Sequence, residues 1–128
     1  MTLEEKKERL GQYIHLKSEV IILEQQWRDA LELKAWLKQE SAGIDEIQEA
    51  SKDLDKIAKN ISVSASAFSI EGIKICEAIE RVKDARLRRI LTERYIAGNS
   101  WETIAKNLNI ELRWLFRLHN KALEMVEF

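Results

Sequence analysis

From Tyr13 to Leu37 apolar side chains recur at three- and four-residue intervals: Tyr13, Leu16, Val20, Leu23, Trp27, Ala30 and Leu37, with Lys34 the one polar residue in the seam. That period is helical, and a chain with no proline and only 4 glycines lets a helix run uninterrupted. The pattern predicts one long helix over about 3–39. Ile14, Ile21 and Leu31 widen the stripe beyond a two-position seam. A stripe that wide packs against more than one helix, either within the chain or on another copy, because alone it leaves too much apolar surface in water. Ser41-Ala42-Gly43 breaks the pattern. A second helix is predicted over about 45–60, with Ile44, Ile47, Leu54, Ala58 and Ile61 as its seam and Ser51 as a weak layer. The run Ser62–Ser69 alternates polar and apolar residues but is short and has no partner strand, so it reads as a loop or a loosely helical connector. A third helix, about 69–83, turns Ile75, Ile79 and Val82 inward, and Gly72 weakens its first turn.

The last third carries denser signals. Asp84 is a natural N-cap for a helix over about 85–97, whose buried face is Leu87, Ile90, Leu91 and Tyr95. Gly98-Asn99 stops that helix, and Ser100 caps the next one, with Glu102 at the positive end of its dipole. Ile104 and Leu108 lie one turn apart, Leu115 and Leu118 share a face of the following helix, and Ile110 sits between the two pairs. Ala105 is small where two helices cross closely. Asn109 tolerates the left-handed backbone that such a turn requires. An ordinary helical hairpin shares the apolar spacing, but the combination of Ala105, Asn109 and Ile110 argues for a helix-turn-helix. The expected fold is therefore all-α, roughly three quarters helical or more. A helical coiled-coil or hairpin arm over 1–83, serving oligomerisation, precedes a three-helix module over 84–128.

Charge divides the same way. The net charge is −1, but residues 81–128 hold ten Lys/Arg against six Asp/Glu (+4), and residues 1–80 hold eleven against sixteen (−5). A basic tail on an acidic arm fits DNA binding, and a surplus this small predicts modest non-specific affinity for one copy. No apolar run approaches the ~18 residues that a membrane span needs. The charged start, Met1 to Lys7, is not a signal peptide, and the lone Cys76 cannot form an internal disulfide, so a reducing cytoplasm is the expected compartment. Two histidines and one cysteine, far apart, give no metal-ligand spacing, and no phosphate loop or nucleophile motif is present. No cofactor and no enzymatic activity are expected. His15 reads as a packed or half-exposed residue, His119 as a capping or phosphate neighbour, and Trp27 and Trp36 as core or interface aromatics.

The run Arg94-Tyr-Ile-Ala-Gly-Asn-Ser-Trp-Glu-Thr-Ile-Ala-Lys-Asn-Leu-Asn-Ile, followed by Leu115, Leu118, Lys121, Ala122 and Leu123, resembles region 4 of the bacterial sigma-70 family, which reads the −35 promoter element. Over its whole length the chain resembles small sigma-region-4-like proteins of Gram-positive phages and mobile elements, the ArpU-like late regulators and a related uncharacterised family. Many of these carry a run such as Arg117-Leu118-His119. The resemblance covers roughly the last third; before that it rests on helical layout. It implies a transcription regulator that binds double-stranded promoter DNA and touches host RNA polymerase. A chain this short lacks a promoter-melting domain and is not expected to act as a complete sigma factor.

In a helix-turn-helix the second helix enters the major groove. Its outward residues here are Glu111, Leu112, Arg113, Phe116, Arg117 and Asn120. Arg113 and Arg117 suit guanine because a planar fork matches two acceptors, Glu111 suits cytosine, and Asn120 reaches a base or a phosphate. Lys106, Lys121, Arg86, Arg88 and Arg89 are candidates for phosphate contacts, with a solvated helix face as the plain reading of the three arginines. Leu112 and Phe116 depart from the family's polar pattern: they suit thymine methyls or, with Trp114, a protein-binding surface. A homodimer would set two recognition helices ~34 Å apart, or a multiple of that. Two alternatives remain open: a DNA-packaging component of the small-terminase kind, built as a ring, and a protein-interaction module that uses the recognition-helix face.

Overall fold

The computed structural model describes residues 1–128 and is all-α, with 84% of the residues helical and no strand. The elements are α1 (Leu3–Gln39), α2 (Ile44–Glu80), α3 (Ala85–Leu91), a π-helical turn at Thr92–Ile96, α4 (Trp101–Leu108) and α5 (Leu112–Met125). No helix is long and apolar enough to cross a membrane. The chain divides into two compact units, Leu16–Phe68 and Met1–His15 with Ser69–Phe128.

Two expectations are corrected. The helices expected over 45–60 and 69–83, and the connector between them, form the single helix α2. The strand-like alternation of Ser62–Ser69 loses to a longer seam: Leu54, Ile57, Ile61, Ala65, Phe68, Gly72, Ile75 and Ile79 are buried or half-buried at three- and four-residue spacing. The serines are accommodated because their hydroxyls bond to the helix itself. Ser51 Oγ donates to the Ile47 carbonyl at 3.0 Å and Ser66 Oγ to that of Ser62 at 2.8 Å. The second correction is at 85–97. The α-helix ends at Leu91, and the π turn follows, closed by the Ala97 amide on the Thr92 carbonyl at 3.0 Å.

In the Leu16–Phe68 unit, α1 and α2 run antiparallel. Glu19, Ile22 and Leu23 of α1 share a shallow groove with Asn60, Val63 and Ser64 of α2. The turn between them uses Ser41 at φ 55°, with the Ala42 amide bonded back to the Leu37 carbonyl at 3.0 Å. The seam read from sequence is present: Leu16, Val20, Leu23, Trp27, Ala30, Lys34 and Leu37 are all half-buried. Only Ala50 and Leu54 are fully buried in this unit, while Ile21, Ile22, Leu31, Leu33, Trp36, Ile44 and Val63 stay exposed. Trp36, expected as a core or interface aromatic, is 55% exposed.

The other unit has two joined cores. One gathers Leu10, Ile75, Ala78, Ile79, Val82, Leu87, Leu91, Tyr95, Ala122, Leu123 and Val126. The second gathers Ile90, Ile104, Ala105 and Leu115, and Leu118 packs against both. Leu10 is the one fully buried residue of α1, a turn before the seam expected to begin at Tyr13. Residues from both ends of the chain close this unit. Lys6 Nζ donates to the Leu123 and Glu124 carbonyls at 3.0 and 3.2 Å, a cation on the negative end of α5. Arg9 Nε donates to Glu71 Oε1 at 2.9 Å, and its guanidinium lies 4.3 Å from the Phe128 ring centre.

Candidate nucleic-acid interface

Local chemistry fixes the three C-terminal helices one after another. The Asp84 carboxylate accepts from the amides of Arg86 and Leu87 at 2.9 and 3.2 Å and starts α3. Gly98 takes φ 74°, a left-handed backbone, and a Cβ there would stand 3.3 Å from Ile14 Cδ1, so glycine meets both demands. Ser100 Oγ accepts from the Thr103 amide at 3.2 Å and starts α4. Asn109 ends α4 in the left-handed region at φ 54°, ψ 48°. The amides of Asn109 and Ile110 bond back to the Lys106 and Ala105 carbonyls at 3.1 and 3.0 Å. Ile110 packs, half-buried, on the core of Ile90, Ile104, Ala105 and Leu115. Glu111 precedes α5 in an extended conformation, without a side-chain cap. Three residues, Asn109, Ile110 and Glu111, thus link α4 to α5.

On α5, Leu115, His119, Ala122 and Leu123 are buried. Arg113, Arg117 and Lys121 are exposed and one turn apart in a single row. None of the three makes an ion pair or side-chain hydrogen bond within the chain. Like charges at this spacing cost an isolated helix ~0.2–0.5 kcal/mol per pair, so the row is a small expense to folding. Beside it runs a second row, Leu112, Phe116 and Asn120, exposed as well, the first two at 37% and 44%. Trp114, 46% exposed, lies on the other flank. Lys106 and Glu111 meet around a shallow depression at the α4–α5 turn with Ala105, Asn109 and Ile110.

The α3 arginines differ among themselves. Arg86 is exposed. Arg88 is half-buried and donates from Nη1 to the Val82 carbonyl at 2.8 Å, closing the turn before α3. Arg89 Nε stands 3.3 Å from Glu93 Oε2. Glu93 Oε1 in turn accepts from Asn107 at 2.7 Å, tying the π turn to α4.

An aromatic column absent from the sequence reading stands behind α5. His119, expected as a capping or phosphate neighbour, is buried at 4% exposure, with Nε2 2.7 Å from the Tyr95 hydroxyl. The correction has a simple cause: residue 119 falls on the same side of α5 as Leu115, Ala122 and Leu123. Burial, with Lys7 and Arg94 adding repulsion, pushes the His119 pKa down to about 4, so the ring is neutral. Burial pushes Tyr95 up to about 12. Trp101 packs edge-on against His119 at 4.5 Å between ring centres and against Phe116 at 5.5 Å and 79°. The Arg94 guanidinium lies 4.4 Å from the centre of the Trp101 ring. No spacing rule pairs Trp101 with Phe116 or His119, because the contacts cross from α4 to α5. No cluster of metal-ligating side chains forms anywhere in the chain. Comparison with known protein families, with curated proteins and with solved structures returns no match.

Proposed function

We propose that the chain binds double-stranded DNA sequence-specifically as a transcription regulator, with α4 and α5 acting as a helix-turn-helix and α5 as the recognition helix. The observation that carries this reading is the unpaired row Arg113, Arg117, Lys121 on the open side of α5, just beyond the left-handed Asn109. Three cations that neutralise no carboxylate within the chain suit a polyanion. Arg113 and Arg117 contact base edges; Lys121, Lys106 and Arg86 contact phosphates. Arg88 and Arg89, already held by Val82 and Glu93, serve the fold in this reading.

The Leu16–Phe68 hairpin supplies self-association. It fully buries only Ala50 and Leu54 and exposes seven large apolar side chains, a surface that a second copy covers by forming a four-helix layer. A pair of copies also doubles the modest +4 charge presented to one duplex.

Selection of bound duplexes from a random pool at near-physiological salt tests the reading. The expected result is an enriched motif with two spaced half-sites and a dimeric mass by sedimentation. Arg113→Ala and Arg117→Ala each lose discrimination at one base pair, at ~1–3 kcal/mol. Both variants binding target and random DNA as the wild type does would overturn the assignment. A ring of many copies favours the packaging role instead. A second reading rests on the exposed Leu112, Trp114 and Phe116: this face binds a protein, and the chain then enriches no duplex.

A further inference from the structure

Phe116 is an exposed ring that the protein does not leave free. It lies at the outer end of the column Phe116, Trp101, His119, Tyr95, whose inner end is the buried 2.7 Å contact between the Tyr95 hydroxyl and His119. Trp101 is gripped on its face by Arg94, and the Arg94 Nη1 is itself tied to the Asn99 carbonyl at 3.1 Å. The inner members of the column are part of the core: Tyr95 and His119 are buried, and Trp101 packs half-buried on the cluster of Ile90, Ile104 and Leu115, so the ring that Phe116 meets is itself held in place. What the column does is hold one apolar side chain in a fixed place beside the row Arg113, Arg117, Lys121. A side chain fixed before binding loses little conformational entropy on binding. The cations alongside place that side chain against a polyanion. In the major groove the one apolar group a base pair presents is the C5 methyl of thymine.

We infer that Phe116 reads a thymine methyl, with Trp101 as its positioning residue. The inference rests on the DNA-binding reading above. It commits the site to a thymine within reach of Phe116, flanking the base pair read by Arg113 or Arg117. Leu112, a turn earlier in the same row, is less constrained: no ring contact holds it.

The experiment uses the full chain and the duplex enriched by selection. Each thymine is replaced in turn by uracil, which removes the methyl and leaves pairing unchanged. One position is expected to weaken binding about four-fold, the worth of one buried methyl-sized group. Phe116→Ala binds the thymine and uracil duplexes equally. Trp101→Ala narrows the difference, and Trp101→Phe restores it. Phe116→Ala gives up the edge contact with Trp101, so its urea midpoint is measured alongside, and the methyl readout is the ratio of thymine to uracil binding at a temperature where both proteins are fully folded. If the wild type binds its site but tolerates uracil everywhere, or if Phe116→Ala keeps the four-fold difference, the methyl assignment is overturned while DNA binding stands. If no duplex is enriched, both readings fall together.

Discussion

The two compact units are built from the same two long helices and differ in what those helices meet. In Leu16–Phe68, α1 and α2 have only each other, and apart from Ala50 and Leu54 the seam residues reach half-burial at most. In Met1–His15 with Ser69–Phe128, the start of α1 and the end of α2 meet α3, α4 and α5, and Leu10, Ile75, Ala78 and Ile79 vanish from solvent. Two helices alone cannot enclose a core, since each covers only one side of the other; a third and fourth layer close the remaining sides. The lesson is that helix content does not measure stability. The Leu16–Phe68 unit is the more continuously helical of the two, yet the larger dry interior belongs to the other.

Leu115→Ala removes a completely buried side chain and is expected to cost ~2–5 kcal/mol, whereas Leu23→Ala in the half-buried seam costs ~1 kcal/mol. Hydrogen exchange reads the opening of each unit separately. Equal losses at the two sites would erase the distinction.

Acid should strike the denser unit first. His119 titrates near 4 when folded and near its ordinary 6.5 when unfolded, so between those values the unfolded chain binds a proton that the folded one refuses. Stability is therefore full above about pH 6.5 and falls by up to ~3 kcal/mol as pH drops toward 4. His119→Phe is expected to flatten this window in urea melts taken between those pH values. A wild-type curve with no slope there would show that burial does not depress the imidazole.

The smallest effects lie at the turns. Each unit has one non-glycine residue in the left-handed region, Ser41 at φ 55° and Asn109 at φ 54°. Ser41→Gly is expected to stabilise its hairpin by ~0.5 kcal/mol, and Asn109→Gly to add less, because asparagine tolerates that region better than serine does. Exchange rates for residues 37–47 and 104–115 report the two gains. A larger gain at Asn109 would show strain there that the backbone angles do not suggest.

Much of this was legible in the residues. Asp84, Ser100, Gly98 and Asn109 each determine a local event, a cap or a left-handed backbone, and each occurs where the sequence places it. The bounds of α1 and the buried faces Leu87, Ile90, Leu91, Tyr95 and Ile104, Ala105, Leu115 follow from period and capping alone. The outward row Arg113, Arg117, Lys121 is a consequence of helical spacing and was equally readable. Hydrophobic period and capping act within a few residues, so one chain segment contains all the information they need.

Other features needed contacts between segments. The continuity of α2 through Ser62–Phe68 depended on which of two competing periods found partners. The burial of Leu10 depended on a core whose other buried members begin at Ile75 and run to Val126. The column from Tyr95 to Phe116 joins side chains of the π turn, α4 and α5 that share no spacing along the chain. Sequence determined where each helix begins, ends and turns its apolar side. Tertiary packing decided which of those sides became a core and which stayed in water, because burial belongs to pairs of surfaces and not to either one alone.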